Sequence, residues 1–333
     1  MIGIDATAVS PEGKGISRVM RGAAEALARR GVDVVALVQP GVRLAARCEP
    51  VRARPAVFWE QVGLARAARR FDAVLTPTER LPVLPGGRFV VWLYETPSRR
   101  LAAASGVYQR GSDLVTRALW KRSLRRAAAV VAGSAATARE LEEALPGLRV
   151  RVIYPGLDPE FSPGAGPGGE PYVFHLASPD PRDNTETVLR AVSIARQRVP
   201  IRLVVGGAAP RVAAEADYTG RVSDSELVTL YRGAAAYVDA SLYEGFGYQA
   251  LEAMACGAPF IGSNATSIPE VVGDAGLLAD PRDAEALADA LVRVLEEPGL
   301  PDELRRRGLE RARKFTWERT AAELERLFEE LGE

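Results

Sequence analysis

The sequence of 333 residues contains few of the side chains that bind metals or form disulfides. It has two cysteines and one histidine. Cys48 and Cys256 lie far apart and belong to no ligand or redox motif, which suits a reduced cytoplasm. We therefore predict a function that depends on neither a metal ion nor an organic cofactor.

Long hydrophobic runs are also missing. No stretch approaches the roughly 18 apolar residues of a membrane-spanning helix, and residues 1–5 resemble a strand rather than the start of a signal peptide. Apolar residues make up 47% of the chain and charged residues 26%, which is typical of globular proteins. We expect a soluble, cytoplasmic protein with two domains, because a single hydrophobic core stops growing at about 250–300 residues.

The formal net charge of zero conceals an uneven distribution. Residues 1–160 carry 25 Arg and Lys against 15 Asp and Glu, a charge of +10, and the remainder carries 18 against 28, a charge of −10. A basic half favours an anionic partner such as a membrane surface or a lipid phosphate, although an Arg-rich solvated surface would give the same count. The basic residues lack an aromatic stacking pattern, which argues against nucleic acid as a partner.

Short β-branched runs alternate with helical stretches twice along the chain. This alternation predicts two doubly wound α/β domains with parallel sheets, which face each other across a ligand-binding cleft. We assign residues 1–165 to the first domain, 171–315 to the second and 316–333 to a closing helix, with a Pro- and Gly-rich linker at 162–171. The predicted strands are 1–5, 33–38, 73–76, 89–93, 129–132 and 150–154, then 172–176, 202–205, 236–239, 259–262 and 276–278.

The segment 240–259 carries the most chemical information. A strand ends near Ala240, a glycine-rich turn follows, and a helix begins near Tyr248, so free amides at the helix start could bind a phosphate. Glu244 in the turn and Glu252 in the helix could both accept hydrogen bonds from sugar or ribose hydroxyls. Taken alone, each glutamate has a structural explanation that is as good as the binding role. Glu244 could be a solvated turn residue, and Glu252 could be an acidic residue favoured near a helix N-terminus.

The letters of this segment match a known signature. Residues 244–247 read Glu-Gly-Phe-Gly, residues 251–257 read Leu-Glu-Ala-Met-Ala-Cys-Gly, and residues 267–273 read Ser-Ile-Pro-Glu-Val-Val-Gly. Together they resemble the Glu-x7-Glu signature of retaining family 4 glycosyltransferases, which have the GT-B fold. Weaker similarities at 13–18, 154–158, 220–223 and 315–318 extend the resemblance over most of the chain.

The resemblance implies a role for each matching residue. Glu244 would bind hydroxyls of the donor sugar, and Glu252 would bind the ribose. The first domain would be the acceptor side, the second domain would bind the nucleotide sugar, and the closing helix would pack back onto the first domain. The implied donor-binding residues are Gly15, Ser178, Arg182, Asn184, Gly220, Val222, Glu244, Gly245, Phe246, Gly247, Tyr248, Gln249 and Glu252, with amides at 246–249 facing the sugar and the diphosphate, and the nucleobase near Val222.

Two departures from the family concern the diphosphate. Where the family usually has an Arg and a Lys, this sequence has Ser178 and Asp183. Fixed positive groups are the usual means of stabilising a leaving diphosphate, and losing one such group typically costs roughly 3 kcal/mol. Arg182 could replace them as a bidentate phosphate ligand, or it could be an exposed residue paired with Asp180 or Asp183. His175 is expected to be a satisfied strand residue rather than a catalyst.

The first domain departs from the family as well. Gly15 lies in a loop, Gly-Lys-Gly-Ile-Ser-Arg, that resembles the family's Gly-Gly-Ile-Gly-Arg loop near the reaction centre but fails as a dinucleotide fingerprint. Tyr94 and Glu95 follow the strand 89–93, where the family often has His-Asp. They could contact the sugar or acceptor, or they could simply be exposed. A basic helix at about 112–127 could lie on an anionic membrane, although its apolar and basic positions do not separate cleanly by face.

We therefore predict a retaining, metal-independent hexosyltransferase of the GT-B fold. It would move a sugar from a nucleoside-diphosphate sugar to a hydroxyl of a bacterial glycan or lipid-linked acceptor, as in cell-envelope polysaccharide biosynthesis. The predicted catalytic residues are Glu244, Arg182, Tyr94 and Glu95. A weak or inactive nucleotide-binding pseudo-glycosyltransferase that acts as a partner subunit is the alternative, and a dinucleotide-dependent oxidoreductase is a distant third. The sequence leaves the sugar, the base and the acceptor open.

Overall fold

The structure is a computed structural model that describes residues 1–10, 13–84, 86–97, 109–208 and 216–333, with the backbone alone for 109–115. The chain divides into two compact units. Unit 1 consists of Met1–Gly156 and Phe315–Glu333, and unit 2 consists of Leu157–Lys314.

Unit 1 contains a sheet in which every neighbouring pair of strands is parallel. Within the described residues the strand order is β3-β2-β1-β4-β5-β6-β7. The strands are β1 (Ile2–Asp5), β2 (Val34–Val38), β3 (Cys48–Pro50), β4 (Ala73–Thr76), β5 (Phe89–Leu93), β6 (Ala129–Ala132) and β7 (Val150–Val152). The helices among them are α1 (Ile16–Arg29), α2 (Ala56–Phe58, then a π-helical turn Trp59–Gly63, then Leu64–Ala68), α3 (Gln109–Arg126) and α4 (Ala135–Ala144).

Unit 2 repeats this architecture with a second parallel sheet. The order in the described residues is β10-β9-β8-β11-β12-β13. The strands are β8 (Tyr172–Ala177), β9 (Leu203–Gly207), β10 (Asp217–Gly220), β11 (Ala234–Asp239), β12 (Phe260–Ser263) and β13 (Gly276–Ala279). The helices are α5 (Thr185–Ala195), α6 (Asp224–Gly233), α7 (Tyr248–Cys256), α8 (Ile268–Val272), α9 (Ala284–Glu296) and α10 (Leu300–Ala312).

The predicted fold class, two doubly wound parallel α/β sheets, is confirmed. The central strands are buried on both faces, as β2 and β5 are over their full length, because crossover helices cover both sides of a parallel sheet. In each sheet the strand order reverses once, between β1 and β4 in unit 1 and between β8 and β11 in unit 2. Such reversal points open a crevice at the carboxyl ends of the strands, where ligands of open α/β sheets bind.

Unit 2 begins at Leu157, upstream of the Pro- and Gly-rich stretch at which we placed the boundary. The residues between these two points are anchored in unit 2. The ring of Phe161 lies 6.4 Å from that of Tyr231, and Arg232 Nε donates to the Ser162 carbonyl at 2.8 Å. A buried aromatic residue therefore fixes the start of unit 2 before the glycine-rich residues are reached.

The last helix, α11 (Trp317–Gly332), belongs to unit 1 and packs against α1. Thr316 caps its start by accepting from the amide of Arg319. The Trp317 ring lies so close to Gly22 of α1 that any side chain at position 22 would collide with it. An ion pair of 2.6 Å between Arg30 and Glu325 adds to this contact.

Candidate active site

The glycine-rich turn of unit 2 lies at the reversal point of its sheet. β11 ends at Asp239, and α7 begins at Tyr248 after the turn. Gly247, the residue before α7, has φ 98°, and a Cβ there would lie 2.6 Å from Ile268 Cδ1. Among the described residues no side chain caps α7. A glycine is therefore required at 247, and the binding of an anion at this helix start stays a prediction.

Glu244 is held in this turn by its backbone. Its amide donates to Thr266 Oγ1 at 3.0 Å, and its carbonyl accepts from Ser267 Oγ at 2.8 Å. Thr266 adopts a left-handed φ of 53°, which is unusual for a β-branched residue. The loop before α8 thus fixes Glu244 through both its backbone amide and its backbone carbonyl.

The Glu244 carboxyl lies in an acidic environment. Burial, together with the neighbouring Asp239 and Asp183 carboxylates, raises its pKa to about 8. Ser241 Oγ lies 2.6 Å from Asp239 Oδ1 and 3.3 Å from Glu244 Oε1. A hydroxyl has one proton to donate, and the shorter contact goes to Asp239. The contact to Glu244 is therefore best satisfied when Glu244 itself carries a proton.

Glu252 lies in α7 and is buried in the core of unit 2. Its side chain belongs to a residue only 3% exposed, and Tyr231 donates to its Oε2 at 3.4 Å. The Tyr231 ring packs edge to face with Tyr237 and Phe174. Glu252 therefore lies beside a cluster of packed aromatic rings, where a buried polar group needs a hydrogen-bond partner.

Arg182 is bound to a neighbouring carboxylate. Its Nε lies 3.0 Å and its Nη2 2.7 Å from Asp180 Oδ2, and its guanidinium lies 5.8 Å from the centre of the Tyr243 ring. The backbone carbonyl of Arg182 accepts from the amide of Leu242 at 2.7 Å. The structure thus brings Arg182 to the glycine-rich turn. There it is paired with Asp180, as expected for the second of the two roles considered above, an arginine paired with a neighbouring aspartate.

The positions at which the family has cations carry a serine and an aspartate instead, Ser178 and Asp183. Burial raises the pKa of Asp183, while a hydrogen bond from Ser178 works in the opposite direction. Ser178 Oγ also accepts from the amide of Asp180 at 3.2 Å. Ser178 and Asp183 therefore satisfy each other within the turn after β8, and the negative charge of Asp183 adds to that around Glu244.

Asn184 connects three strand ends. Its Nδ2 donates to the carbonyl of Ala240 at 3.0 Å and to that of Pro281 at 2.7 Å, while its Oδ1 accepts from Thr187 Oγ1 at 2.8 Å. Its φ of 54° is left-handed, a conformation that Asn tolerates better than most residues. Its side-chain amide is thus fully used within the protein.

His175 is a satisfied strand residue, as the sequence predicted. Its Nδ1 lies 2.9 Å from the carbonyl of Val238, so this nitrogen must carry the proton, and Nε2 accepts from Thr185 Oγ1 at 3.0 Å. Burial lowers the pKa of His175 and keeps it neutral. A ring with both nitrogens occupied in the core is poorly suited to move protons to a substrate.

The residues predicted for the nucleobase lie at the end of β10. Gly220 has a left-handed φ of 70° and is exposed, whereas Val222 is buried. Ser223 then starts α6 with a capping box that includes Glu226. Gly245, Phe246, Tyr248 and Gln249 lie in the glycine-rich turn and the first turn of α7, where the Phe246 and Tyr248 rings meet edge to face at 5.1 Å.

Gly15, Tyr94 and Glu95 belong to unit 1. Gly15 precedes α1 with φ 57° and is exposed. The Tyr94 ring packs beside Trp92 at 5.5 Å, and its carbonyl accepts from Thr137 Oγ1 at 3.0 Å. Glu95 is partly buried. Tyr94 therefore has a packing role within unit 1, and the proposed contacts of these residues with a sugar stay predictions.

Among the residues that shape the Glu244 site, the sequence analysis missed Asp239. Asp239, which is 3% exposed, accepts from both the amide and the hydroxyl of Ser241. An acid at the end of a predicted buried strand was the available signal, because such positions face the ligand crevice of a parallel sheet.

In the part of the chain that the structure describes, no three His, Cys, Asp or Glu side chains form a group able to hold a metal ion, and no helix is both long and apolar enough to cross a bilayer.

Two protein-family models match the chain. The model described as Glycosyltransferase Family 4 matches residues 13–161, and the model described as Glycosyl transferases group 1 matches residues 170–297. Together they account for most of both units.

Individual proteins resemble the chain over different extents. The O-antigen chain mannosyltransferase B of Escherichia coli is 38% identical over 162 residues, which is 44% of this chain and 42% of that protein. The chain thus matches less than half the length of this curated relative. A solved sucrose-phosphate synthase from Thermosynechococcus elongatus superimposes with a TM-score of 0.81 at 22% identity, covering 99% of this chain and 98% of that one. An Anabaena protein solved in complex with UDP-glucose gives a TM-score of 0.74 at 16% identity, with 99% coverage of each chain.

Proposed function

Because this chain belongs to the group 1, family 4 glycosyltransferases and has the GT-B fold, we propose that it transfers a hexose or deoxyhexose from a nucleoside-diphosphate sugar to a hydroxyl of a bacterial glycan or glycolipid, with retention at the anomeric carbon. The observation that carries this proposal is the fixed turn of Glu244 beside the uncapped start of α7. A carboxyl and an anion site then lie within one turn, as a sugar diphosphate requires.

In the proposed reaction each part of the turn has one task. The Glu244 carboxyl binds hydroxyls of the donor sugar, and Glu252 binds the ribose. Amides at the start of α7 receive the diphosphate. The bond from the anomeric carbon to the phosphate oxygen breaks as the acceptor oxygen attacks from the same face, and the acceptor proton passes to the leaving phosphate. This path needs no protein base, which is consistent with the neutral, enclosed His175.

The diphosphate has a weaker cationic environment than the family usually supplies. Arg182 is a cation next to the glycine-rich turn, and it is paired with Asp180. We propose that Arg182 moves from Asp180 to the diphosphate when the donor binds, since a phosphate carries more charge and offers the same bidentate geometry.

Two substitutions test the proposal. Glu244→Ala and Glu252→Ala should each abolish sugar transfer in an assay with a panel of nucleotide sugars, while the circular dichroism spectrum stays that of the parent. Glu186→Ala, an exposed glutamate on α5, is the matched control and should keep full activity. Undiminished transfer by both site variants would contradict the site assignment.

The acidic surround of Glu244 favours a second candidate, a nucleotide-binding protein without turnover. Asp183, Asp239 and Asp180 add negative charge where the family has cations. Such a protein would be stabilised by a nucleoside diphosphate in a thermal-shift experiment but would neither transfer nor hydrolyse any donor sugar. A donor that is consumed at a rate abolished by Glu244→Ala would exclude it.

We also propose a cytoplasmic protein that makes peripheral contact with an anionic membrane. In the described part of α3 the side chains do separate by face: Trp120 and Leu124 are buried, whereas Arg117, Lys121, Arg122 and Arg125 are exposed. Because the apolar face lies in the core, membrane binding would be electrostatic. Sedimentation with vesicles that contain anionic lipid should depend on ionic strength and fail for Lys121→Glu/Arg125→Glu, and equal binding to zwitterionic vesicles would contradict this.

A further inference from the structure

The loop between β12 and α8, residues 264–267, lies at the sheet edge that also carries the glycine-rich turn. β12 is the parallel neighbour of β11, so both loops follow the carboxyl ends of adjacent strands, where open α/β sheets bind ligands. Two side chains of the loop bind the backbone of Glu244. Ile268, the next residue, leaves no room for a Cβ on Gly247. The loop therefore lies beside both the carboxyl and the helix start to which the proposed function assigns the sugar and the diphosphate.

The two hydroxyl groups of this loop use their protons differently. Ser267 is fully buried and donates its proton to the Glu244 carbonyl at 2.8 Å. Thr266 is partly exposed, and its Oγ1 accepts from the Glu244 amide at 3.0 Å. A hydroxyl that accepts a hydrogen bond still has one proton to donate, and no described residue accepts the proton of Thr266. This proton is left for solvent or for a ligand beside Glu244.

The backbone of Thr266 is strained. Its φ of 53° is left-handed, which is exceptional for a β-branched residue. The surrounding loop enforces it, because the Asn264 amide donates to the Ala279 carbonyl at 2.8 Å and the Ala265 amide donates to Ser263 Oγ at 3.1 Å. Strain of this kind clusters at ligand-binding and catalytic sites. A glycine would adopt the same φ without strain, so the threonine indicates a use for its side chain.

The position of the Thr266 hydroxyl restricts what it can bind. Oγ1 is attached directly to Cβ and is held by the Glu244 amide, so its proton reaches only a small region next to Glu244. A sugar ring hydroxyl can accept this proton, whereas a ring carbon that lacks the hydroxyl cannot. A site built to hydrogen-bond one substrate hydroxyl discriminates against the analogue without it.

We infer that Thr266 is a specificity-determining residue whose hydroxyl donates a hydrogen bond to one ring hydroxyl of the donor sugar. The inference rests on the proposed function, because it specifies how the sugar of the donor is recognised beside Glu244.

The test is isothermal titration of the full chain, first with UDP-, GDP- and dTDP-hexoses to find the donor that binds most tightly. That donor, its 2-, 3-, 4- and 6-deoxy analogues and the free nucleoside diphosphate are then compared. Thr266→Val should weaken the complete donor about three- to tenfold, the net effect of one hydrogen bond, and should leave the nucleoside diphosphate unchanged. One deoxy analogue should bind Thr266→Val and the parent equally, because it lacks the hydroxyl that Thr266 contacts.

Two further variants at this position separate the hydroxyl from the backbone strain. Thr266→Gly adopts the left-handed φ without strain and lacks the hydroxyl, so it should show the same loss as Thr266→Val. Thr266→Ser keeps the hydroxyl and should restore the affinity. Thr229→Ala is the matched control, because Thr229 is exposed on α6 and donates only within its own helix. It should change nothing.

A double variant separates contact with the sugar from positioning of Glu244. Glu244→Ala has no carboxyl left to position, yet adding Thr266→Val to it should still weaken the nucleotide sugar and not the nucleoside diphosphate. No additional loss in this background would overturn the inference, since Thr266 would then act only through Glu244. An equal loss for the nucleotide sugar and the nucleoside diphosphate, or for every deoxy analogue, would also overturn it.

These outcomes are distinct from those of the proposed function, because binding is measured without turnover. A chain that recognises one sugar hydroxyl through Thr266 but never transfers the sugar would remove the proposed function and leave the inference in place. A chain that transfers sugar with unchanged donor affinity in Thr266→Val and Thr266→Gly would do the reverse.

Discussion

Arg182 and Asp180 form a bidentate ion pair within a single turn, with Nε of the arginine 3.1 Å from Oδ1 of Asp180 and Nη2 2.7 Å from Oδ2. The pair lies beside the glycine-rich turn and about one-third of each side chain is exposed. An ion pair this exposed contributes little to stability, about 0–1 kcal/mol. Arg182 can therefore exchange Asp180 for a diphosphate at a small cost in free energy.

Arg182→Ala should weaken binding of a nucleotide sugar about tenfold or more, because a charged hydrogen bond to phosphate contributes roughly 1.5–3 kcal/mol. Asp180→Asn should strengthen binding by releasing the arginine from its competitor. Isothermal titration with the preferred donor measures both. Arg198→Ala, which breaks an exposed pair with Asp289 in the same unit, is the control and should leave the affinity unchanged. Equal affinities for the parent and Arg182→Ala would show that the arginine is a surface residue.

The protonation of Glu244 should make the stability of the protein depend on pH. Its pKa is raised in the fold from 4.5 to about 8, so the folded chain binds more protons than the unfolded chain between these values. The contribution is fully present below the unfolded pKa and is lost as pH rises through the folded pKa, at up to about 1.4 kcal/mol for each pH unit.

Urea unfolding at pH 5, 6, 7 and 8 measures this effect. Glu244→Gln should flatten the fall in unfolding free energy across this range and should be more stable than the parent at the upper end. Glu186→Gln, on an exposed glutamate, should follow the parent curve. A Glu244→Gln curve that falls as steeply with pH as the parent curve would contradict the raised pKa of Glu244.

Gly247→Ala should both destabilise the protein and weaken donor binding. Its φ of 98° strains any other residue, and a Cβ would also collide with Ile268 at 2.6 Å. Backbone strain of this kind costs about 1–3 kcal/mol. Gly299→Ala separates the two causes, because Gly299 has φ 83° with nothing within 4 Å of the added atom. Differential scanning calorimetry should show the larger loss for Gly247→Ala, and nucleotide-sugar titration should show a loss for it alone.

Asn184→Ala should reduce the unfolding free energy by about 2–4 kcal/mol. It leaves the carbonyls of Ala240 and Pro281 without their donor, and an unsatisfied buried acceptor costs about 1–3 kcal/mol. Asn264→Ala, at an exposed position, serves as the control in the same denaturation experiment. A loss no greater than that of the control would mean that the three strand ends hold together without this side chain.

The central strands of both units followed from the sequence, because buried parallel strands are short apolar runs that alternate with longer helical segments. The edge strands β3 and β10 did not. Cys48–Pro50 is short and partly exposed, and Asp217–Gly220 carries polar residues along most of its length, so neither shows the burial that makes a strand recognisable. β3 and β10 are strands because they pair with β2 and β9. Pairing at the edge of a sheet leaves no hydrophobic pattern in the sequence of the edge strand.

The candidate site was predictable where it rests on local backbone chemistry. The glycine-rich turn and the start of α7 were expected at the observed residues. What escaped prediction depends on contacts across long stretches of chain, such as Thr266 and Ser267 fixing Glu244. These side chains have ordinary local sequences, and the fold alone brings them together.

The packing of α11 on α1 affects the order in which the protein can fold during synthesis. Unit 2 is a continuous stretch, so it can complete its core as soon as residue 314 has left the ribosome. Unit 1 must wait until residues 315–333 emerge, and until then the face of α1 around Gly22 remains uncovered. The part of unit 1 that precedes unit 2 is thus finished after it, and a chain that lacks residues 315–333 would have a complete unit 2 and an uncovered apolar surface on α1 that invites chaperone binding.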